Sequence, residues 1–249
     1  MNQFNLTNKT ILVIGATSGI GQATAILCSQ LGANVVLVGR NEEGLQKTLS
    51  MLANENQQHS VLRLDLNEQS NLDTSLVNLP MIDGVASCAG VAMMQPFNFI
   101  KQEDLQQVFQ TNFFGQVMLV QQLLKKKKLN KAASVVFVSS VDGNLKVHAG
   151  NAVYSASKSA LVGMARNMAI DLAPKKIRVN TVLPGTTDTP MIRTDNVTEE
   201  ELQHTAAQTP FRRFAQPVEI ANAIVFLLSD AASYISGTEL VVDGASHLI

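Results

Sequence analysis

Three side chains able to hold an oxygen and move a proton lie close together in this 249-residue chain. Ser140 stands in Ser139-Ser140-Val141-Asp142-Gly143, and Tyr154 and Lys158 stand in Tyr154-Ser155-Ala156-Ser157-Lys158. Positions four apart share a helix face, so a helix starting here points Tyr154 and Lys158 the same way. A phenol titrating near ~10 is a poor base at neutral pH, but a neighbouring ammonium favours the phenolate and fits Tyr154 to act as acid or base. Ser140 would hold a carbonyl oxygen by a hydrogen bond and stabilise the negative charge that grows there as hydride arrives. Val141 has no such chemistry, and Ser139 stays an alternative to Ser140. Singly, each residue also has an ordinary reading: packing for the tyrosine, solvation for the lysine, a cap for the serine.

A second group suits a nucleotide. The first apolar run leads straight into Gly15-Ala16-Thr17-Ser18-Gly19-Ile20-Gly21 and then a helical pattern. Glycines there permit a tight turn, and backbone N–H groups from Thr17 to Gly21 can approach a pyrophosphate at the helix N-terminus. The second run ends in Gly39-Arg40-Asn41, without the carboxylate that receives a ribose 2'-hydroxyl. Arg40 suits a phosphate clamp, which favours NADP over NAD; stacking on adenine or facing solvent is its ordinary reading. Asp65, with Leu66 beside it, is placed to meet the adenine or to cap the next turn. Ser87-Cys88-Ala89-Gly90 closes the fourth run, where Ala89 and Gly90 let a flat nucleotide lie against the backbone.

The elements that must position these groups follow from hydrophobic pattern. Near-continuous apolar runs at Thr10–Ile14, Asn34–Val38, Ser60–Leu64, Asp83–Ala86, Ser134–Ser139, Ile177–Leu183 and Glu239–Val242 read as strands buried on both faces. Helical spacing occupies Gly19–Leu31, Glu42–Ala53, Glu68–Asn78, Gln102–Lys128, Val153–Ala173 and Pro217–Ser229, with a weaker piece at Glu199–Ala207. This alternation predicts an α/β, Rossmann-type, doubly wound parallel sheet with helices on both faces. No linker or repeat divides residues 1–249, so one domain is expected, with a substrate loop at about 184–217 that offers Met191, Ile192, Phe211 and Phe214, and with Val147 and His148 at the rim. Loop packing is the competing reading of those side chains.

Composition narrows the partners. A formal charge of -1 and 16% charged residues give no electrostatic footprint for nucleic acid or an anionic membrane. Neither a signal peptide nor a membrane span is visible, which predicts a soluble, cytoplasmic protein. The sequons at Asn5, Asn8 and Asn196 read as chance matches. Cys28 and Cys88 are too few for a disulfide framework or a four-ligand zinc site, so reduced thiols and no metal are expected. Lys125–Lys128 with Lys131 read as a helix end whose cations complement the dipole.

Taken together, these residues resemble the short-chain dehydrogenase/reductase family over nearly the whole chain. The match takes in Gly15 to Gly21, Asp65, Thr111-Asn112-Phe113-Phe114-Gly115, the Ser140, Tyr154 and Lys158 group, Arg178-Val179-Asn180, Pro184-Gly185, Thr189-Pro190-Met191, and Ser236-Gly237-Thr238 to Val242-Asp243-Gly244. The resemblance implies that Tyr154 donates the proton, that Asn112 holds a water in a relay with Lys158, and that Lys158 contacts the nicotinamide ribose. It also sets Pro184, Gly185, Thr187 and Thr189 near the nicotinamide and implies a homotetramer built on the Gln102–Lys128 and Val153–Ala173 helices and the tail strand.

Within the family the pattern is nearest to bacterial 3-oxoacyl-acyl-carrier-protein reductases and related ketoreductases. This implies a small carbonyl or alcohol substrate, with an acyl carrier protein as a partner to test at Lys131 and Lys175. A non-catalytic NADP-binding sensor or scaffold is the reading of another class, and the retention of Tyr154 and Lys158 argues for catalysis. Three departures stand out. Ile14 replaces the common threonine, Ser87-Cys88 replaces a pair of asparagines that brace the central strands, and the spacing from Ser140 to Tyr154 is long enough to predict a bulged loop.

Overall fold

The computed structural model describes residues 3–53, 57–68, 75–193 and 197–249. Its strands are β1 (Thr10–Ile14), β2 (Asn34–Gly39), β3 (Ser60–Arg63), β4 (Ile82–Ser87), β5 (Leu129–Val138), β6 (Arg178–Pro184) and β7 (Glu239–Val242). They form one sheet in the order β3-β2-β1-β4-β5-β6-β7 with every neighbouring pair parallel. The chain builds outward from β1 to β3, then crosses back to β4, so the topological switch lies between β1 and β4. Ligands bind outside the carboxyl ends of strands at such a switch.

Around the sheet run α1 (Gly19–Gln30), α2 (Glu42–Leu49), α3 (Gln102–Phe109), α4 (Gly115–Lys125), α5 (Ala152–Asp171), α6 (Glu199–Ala207) and α7 (Pro217–Leu228). Side chains alternate between the faces of a strand. Leu12 and Ile14 therefore pack with Leu119, Leu123, Leu161 and Ala165 of α4 and α5. Ile11 and Val13 pack with Ala25 and Cys28 of α1 and with Ile220, Ile224 and Leu228 of α7. Two cores, one per face, explain why the strands read as continuous apolar runs. Cys28 and Cys88 are both free. Among the described residues no helix is long and apolar enough to cross a membrane.

Several expected boundaries shift. The helical pattern Gln102–Lys128 is not one helix: a π-helical turn at Gln110–Phe114 separates α3 from α4, and α4 ends at Lys125. Lys127 is left-handed at φ +56°. Lys128 turns inward to donate to the carbonyls of Val77 (2.9 Å) and Leu79 (2.6 Å). The Lys125–Lys128 run is thus only partly a solvated helix end, and Lys131 belongs to β5, which starts at Leu129 rather than Ser134. α2 stops at Leu49, short of Ala53. The expected helix Glu68–Asn78 falls largely on residues 69–74, which lie outside the described residues, as does Asn196.

Candidate active site

The turn after β1 is shaped by what its glycines lack. Gly15 is left-handed at φ +81°, and a Cβ there would stand 2.8 Å from the Ala89 backbone. A Cβ on Gly21 would stand 2.1 Å from the Gly15 carbonyl oxygen, so the first turn of α1 can press onto the loop only as glycine. The backbone N–H groups of Gly15 and Ala16 both donate to the Val38 carbonyl, at 2.9 and 3.2 Å. Ser18 caps α1 in an extended conformation with no side-chain cap bond, leaving first-turn donors of the helix directed at the adjoining space.

That space is one cavity of about 920 Å³, the upper end of the range for small-molecule sites. Gly15, Thr17, Ser18, Gly19, Ile20, Gly21, Arg40, Asp65, Leu66, Ala89, Gly90, Pro184, Gly185, Thr187 and Thr189 all line it, with Ser140, Tyr154 and Lys158. Arg40 is exposed at the lip, and among the described residues no carboxylate pairs with it. Glu42 and Glu43 open α2 behind the Asn41 cap, as expected. Asp65 caps its own turn, accepting from Asn67 N at 2.9 Å, while still reaching the cavity wall. The glycine cradle, the open helix N-terminus and the unpaired guanidinium fit a phosphorylated dinucleotide by shape and charge.

The carboxyl end of β5 delivers Ser140, which is 8% exposed and whose Oγ accepts from Asp142 N at 3.1 Å. Ser139 also lines the cavity, but its Oγ donates to the Lys158 carbonyl at 2.8 Å, which engages the hydroxyl proton that Ser140 keeps available. Lys158, 3% exposed, lies one turn along α5 from Tyr154, with Nζ 5.9 Å from the phenol ring centroid. The Nζ donates to the carbonyls of Val138 (2.9 Å) and Ala89 (3.4 Å). The bulge expected between Ser140 and Tyr154 is a tight turn closed by Gly143 N donating to Lys146 O at 2.7 Å. Gly143 is left-handed at φ +82°, and a Cβ there would stand 2.6 Å from the Ser155 carbonyl oxygen.

The expected activation of Tyr154 needs correcting. Burial pushes the phenol up to about 12, with the Asp142 charge adding to the rise and the Ser140 hydrogen bond opposing it. Burial also pulls the Lys158 ammonium down to about 8. Desolvation dominates both shifts, and Lys158 Nζ spends its donors on the backbone carbonyls of Val138 and Ala89. In this state Tyr154 is held as a protonated donor.

Asn112 is the expected site residue that does not line the cavity. It is fully buried in the π-helical turn, where Nδ2 donates to Val91 O and Ser157 Oγ, both at 3.0 Å, and Oδ1 accepts from Val91 N at 2.8 Å. Its side chain thus ties the turn to the Gly90 segment and to α5, behind Lys158. Expected lid residues divide as well. Met191, Ile192 and His148 line the cavity, whereas Val147, Phe211 and Phe214 do not; Phe214 is buried and Phe211 packs over Gly244.

One residue escaped the reading of motifs. Gln116, fully buried in the first turn of α4, donates to the carbonyls of Ala89 (3.0 Å) and Asn112 (2.7 Å) and accepts from Ser87 Oγ at 2.6 Å. This amide replaces the asparagine pair missing from β4, which was the signal that could have found it. Cys88 beside it is pushed up to about 12 by burial, an unreactive thiol on the cavity wall.

Comparison with known proteins agrees with this geometry. Residues 15–247 match the family model described as "Enoyl-(Acyl carrier protein) reductase". The chain is 33% identical over 246 residues to the 3-oxoacyl-[acyl-carrier-protein] reductase of Rickettsia felis, covering 98% of this chain and 99% of that one. It is 32% identical over 247 residues to the cyclopentanol dehydrogenase of a Comamonas species, covering 96% and 97%. A solved structure titled as a short chain dehydrogenase/reductase family protein superposes with a TM-score of 0.86 at 31% identity, covering 98% of this chain and all of that one. The parallel sheet, the glycine turn and these matches along almost the full length make the chain a member of the short-chain dehydrogenase/reductase family and a dehydrogenase/reductase enzyme.

Proposed function

We propose that this enzyme interconverts a ketone and a secondary alcohol with NADP(H), in a single domain spanning residues 1–249 whose segment 184–217 covers the substrate. The observation that carries the reading is the convergence of Ser140, Tyr154 and Lys158 in the same cavity as the glycine turn and Arg40. A bound nicotinamide supplies or accepts the hydride. The remaining work belongs to the chain. Ser140 Oγ and the Tyr154 hydroxyl, both on the cavity wall, hold the substrate oxygen from one side. In reduction Tyr154 gives its proton to that oxygen, a role that suits a phenol held well above neutral pH. Lys158 offsets charge on the phenolate left behind and contacts the ribose. Asn112, whose side chain ties the Val91 segment to Ser157 of α5, would hold the water of a proton relay with Lys158.

Thr17 to Gly21 would hold the pyrophosphate, Arg40 the 2'-phosphate, Asp65 and Leu66 the adenine, and Ala89, Gly90, Pro184, Gly185, Thr187 and Thr189 the nicotinamide end. The Arg40 guanidinium, which no carboxylate pairs among the described residues, supports NADP over NAD. Homotetramer formation is supported by apolar side chains left exposed on the expected pairing helices, including Leu105, Phe114 and Ile170.

The names of the relatives favour a narrower reading, reduction of a 3-oxoacyl group on a carrier protein. Lys131 and Lys175 are both exposed, as docking to an acidic partner needs. They lie at the amino ends of β5 and β6, the opposite end of these strands from Tyr154, so a partner docked there sits away from this chain's own active site. Assaying loss of NADPH absorbance with small ketones and with acetoacetyl-carrier protein tests both readings. Turnover of small ketones supports the broad reading, a carrier-protein rate no faster than theirs removes the narrow one, and no turnover of any carbonyl contradicts both.

A further inference from the structure

The glycine turn follows β1 and Arg40 follows β2, yet one bound dinucleotide must reach both, so the span between them is itself a binding parameter. Side chains of α2 and the glycine turn set that span. Thr17 seats between two glycines: a Cβ on Gly39 would stand 3.0 Å from Thr17 Cγ2, and one on Gly44 would stand 3.1 Å from Thr17 Cβ. Neither glycine is left-handed, so what each supplies is room. Thr48, fully buried in the last turn of α2, shares its hydroxyl proton between Ala16 O at 2.9 Å and Gly44 O at 3.0 Å. Its Oγ1 accepts from Gln22 Nε2 of α1 at 2.9 Å.

Gly44 is costly where it stands, because in the first turn of a helix alanine loses less backbone entropy. Arg40 leaves β2 directly at the cap of this helix: Asn41 Oδ1 accepts from Gly44 N at 3.3 Å and Asn41 O accepts from Leu45 N at 3.1 Å. The Arg40–Asn41 turn therefore follows α2. The glycine turn is the fixed partner, pinned to Val38 O by two backbone donors and closed by Gly21 against the Gly15 oxygen. Crowding the notch displaces α2, and Arg40 with it.

We propose that the Thr17–Gly39–Gly44 notch, clamped by Thr48, is a positioning element that sets the reach from the glycine turn to Arg40 and so the preference for a dinucleotide carrying a 2'-phosphate. It rests on the NADP reading of Arg40 above. Thr17 and Arg40 both line the cavity, whereas Gly44 and Thr48 act through them. The pyrophosphate is common to NADP and NAD and meets backbone donors of the fixed turn. Only the 2'-phosphate depends on where the guanidinium stands, and a charge-assisted hydrogen bond weakens steeply as its distance and angle are spoiled.

The test is fluorescence titration of the full-length protein with NADPH and with NADH, beside Tm, for the wild type, Gly44→Ala, Thr48→Val, Arg40→Ala and Gly44→Ala/Arg40→Ala. Gly44→Ala holds or raises Tm, because alanine favours the helix, while the ratio of NADPH to NADH affinity falls by about 3- to 10-fold, part of the worth of one charge-assisted hydrogen bond. Thr48→Val, which removes the hydroxyl, lowers the ratio in the same direction. With Arg40 already replaced, Gly44→Ala leaves the ratio where Arg40→Ala puts it. Equal weakening of both cofactors in Gly44→Ala, or an unchanged ratio in both Gly44→Ala and Thr48→Val, overturns the positioning element while Arg40 stands as the phosphate ligand. A wild type without preference for NADPH overturns both.

Discussion

Ser87 Oγ donates to Gln116 Oε1 at 2.6 Å, and through that one bond the carboxyl end of β4 is tied to the turn that carries Asn112. The other end of the amide donates to Asn112 O and Ala89 O, the latter also an acceptor for Lys158 Nζ. Gln116→Leu strips several buried groups of their partner and should cost about 1–3 kcal/mol. In a chain of this size that lowers Tm by about 2–4 °C for each kcal/mol. Because Ser87→Ala removes the same bond, the Ser87→Ala/Gln116→Leu double variant should lose less than the sum of the singles. Thermal unfolding of the four proteins measures this; strict additivity would contradict a shared network.

Arg40 should set cofactor choice. Removing it in Arg40→Ala should weaken NADPH binding by about 10- to 100-fold, the worth of a charge-assisted hydrogen bond to phosphate, and leave NADH binding nearly unchanged. Fluorescence titration with both cofactors reads the ratio directly. Tighter NADH binding by the unaltered protein would refute the assignment.

The sequence displayed what depends on local spacing. β1, β7 and the Glu199–Ala207 helix fall on the expected residues, and the glycine turn and the Tyr154–Lys158 spacing needed only neighbours to be read. What it hid depends on distant contacts. A π-helical turn keeps nearly the apolar periodicity of an α-helix, so the break at Gln110–Phe114 leaves no mark in the pattern, yet it is what buries Asn112. The start of β5 at Leu129 was obscured by Asn130, Lys131 and Ala132, the last left-handed at φ +62°. Gln116 and the Thr17–Gly39–Gly44 notch become visible only when strand ends and loops are brought together. The opposite shifts of Tyr154 and Lys158 follow from burial, which spacing does not report.

Lys158 gives the pH dependence its sign. Its ammonium, ordinarily near 10.5, is lowered to about 8 in the folded chain. Between these values the unfolded chain binds the proton that the folded chain has released, so this lysine's contribution to stability rises with pH from about 8, until near pH 10 the raised Tyr154 acts in the opposite direction. Urea unfolding between these limits should therefore show a slope that flattens in Lys158→Met. For the same reason kcat/KM for NADPH, which reports the ligand-free enzyme, should fall above an alkaline limb near pH 8 as the charge is lost. A profile flat to pH 10 would contradict the buried, titrating lysine.

The central claim is that Tyr154 is the proton donor, and Tyr154→Phe tests it most directly because it removes one oxygen and keeps the ring. Turnover of a ketone should fall by about 10²- to 10⁴-fold while NADPH affinity, measured by titration of the same preparation, stays unchanged. Retention of full turnover in Tyr154→Phe with the cofactor bound as in the wild type would contradict the account.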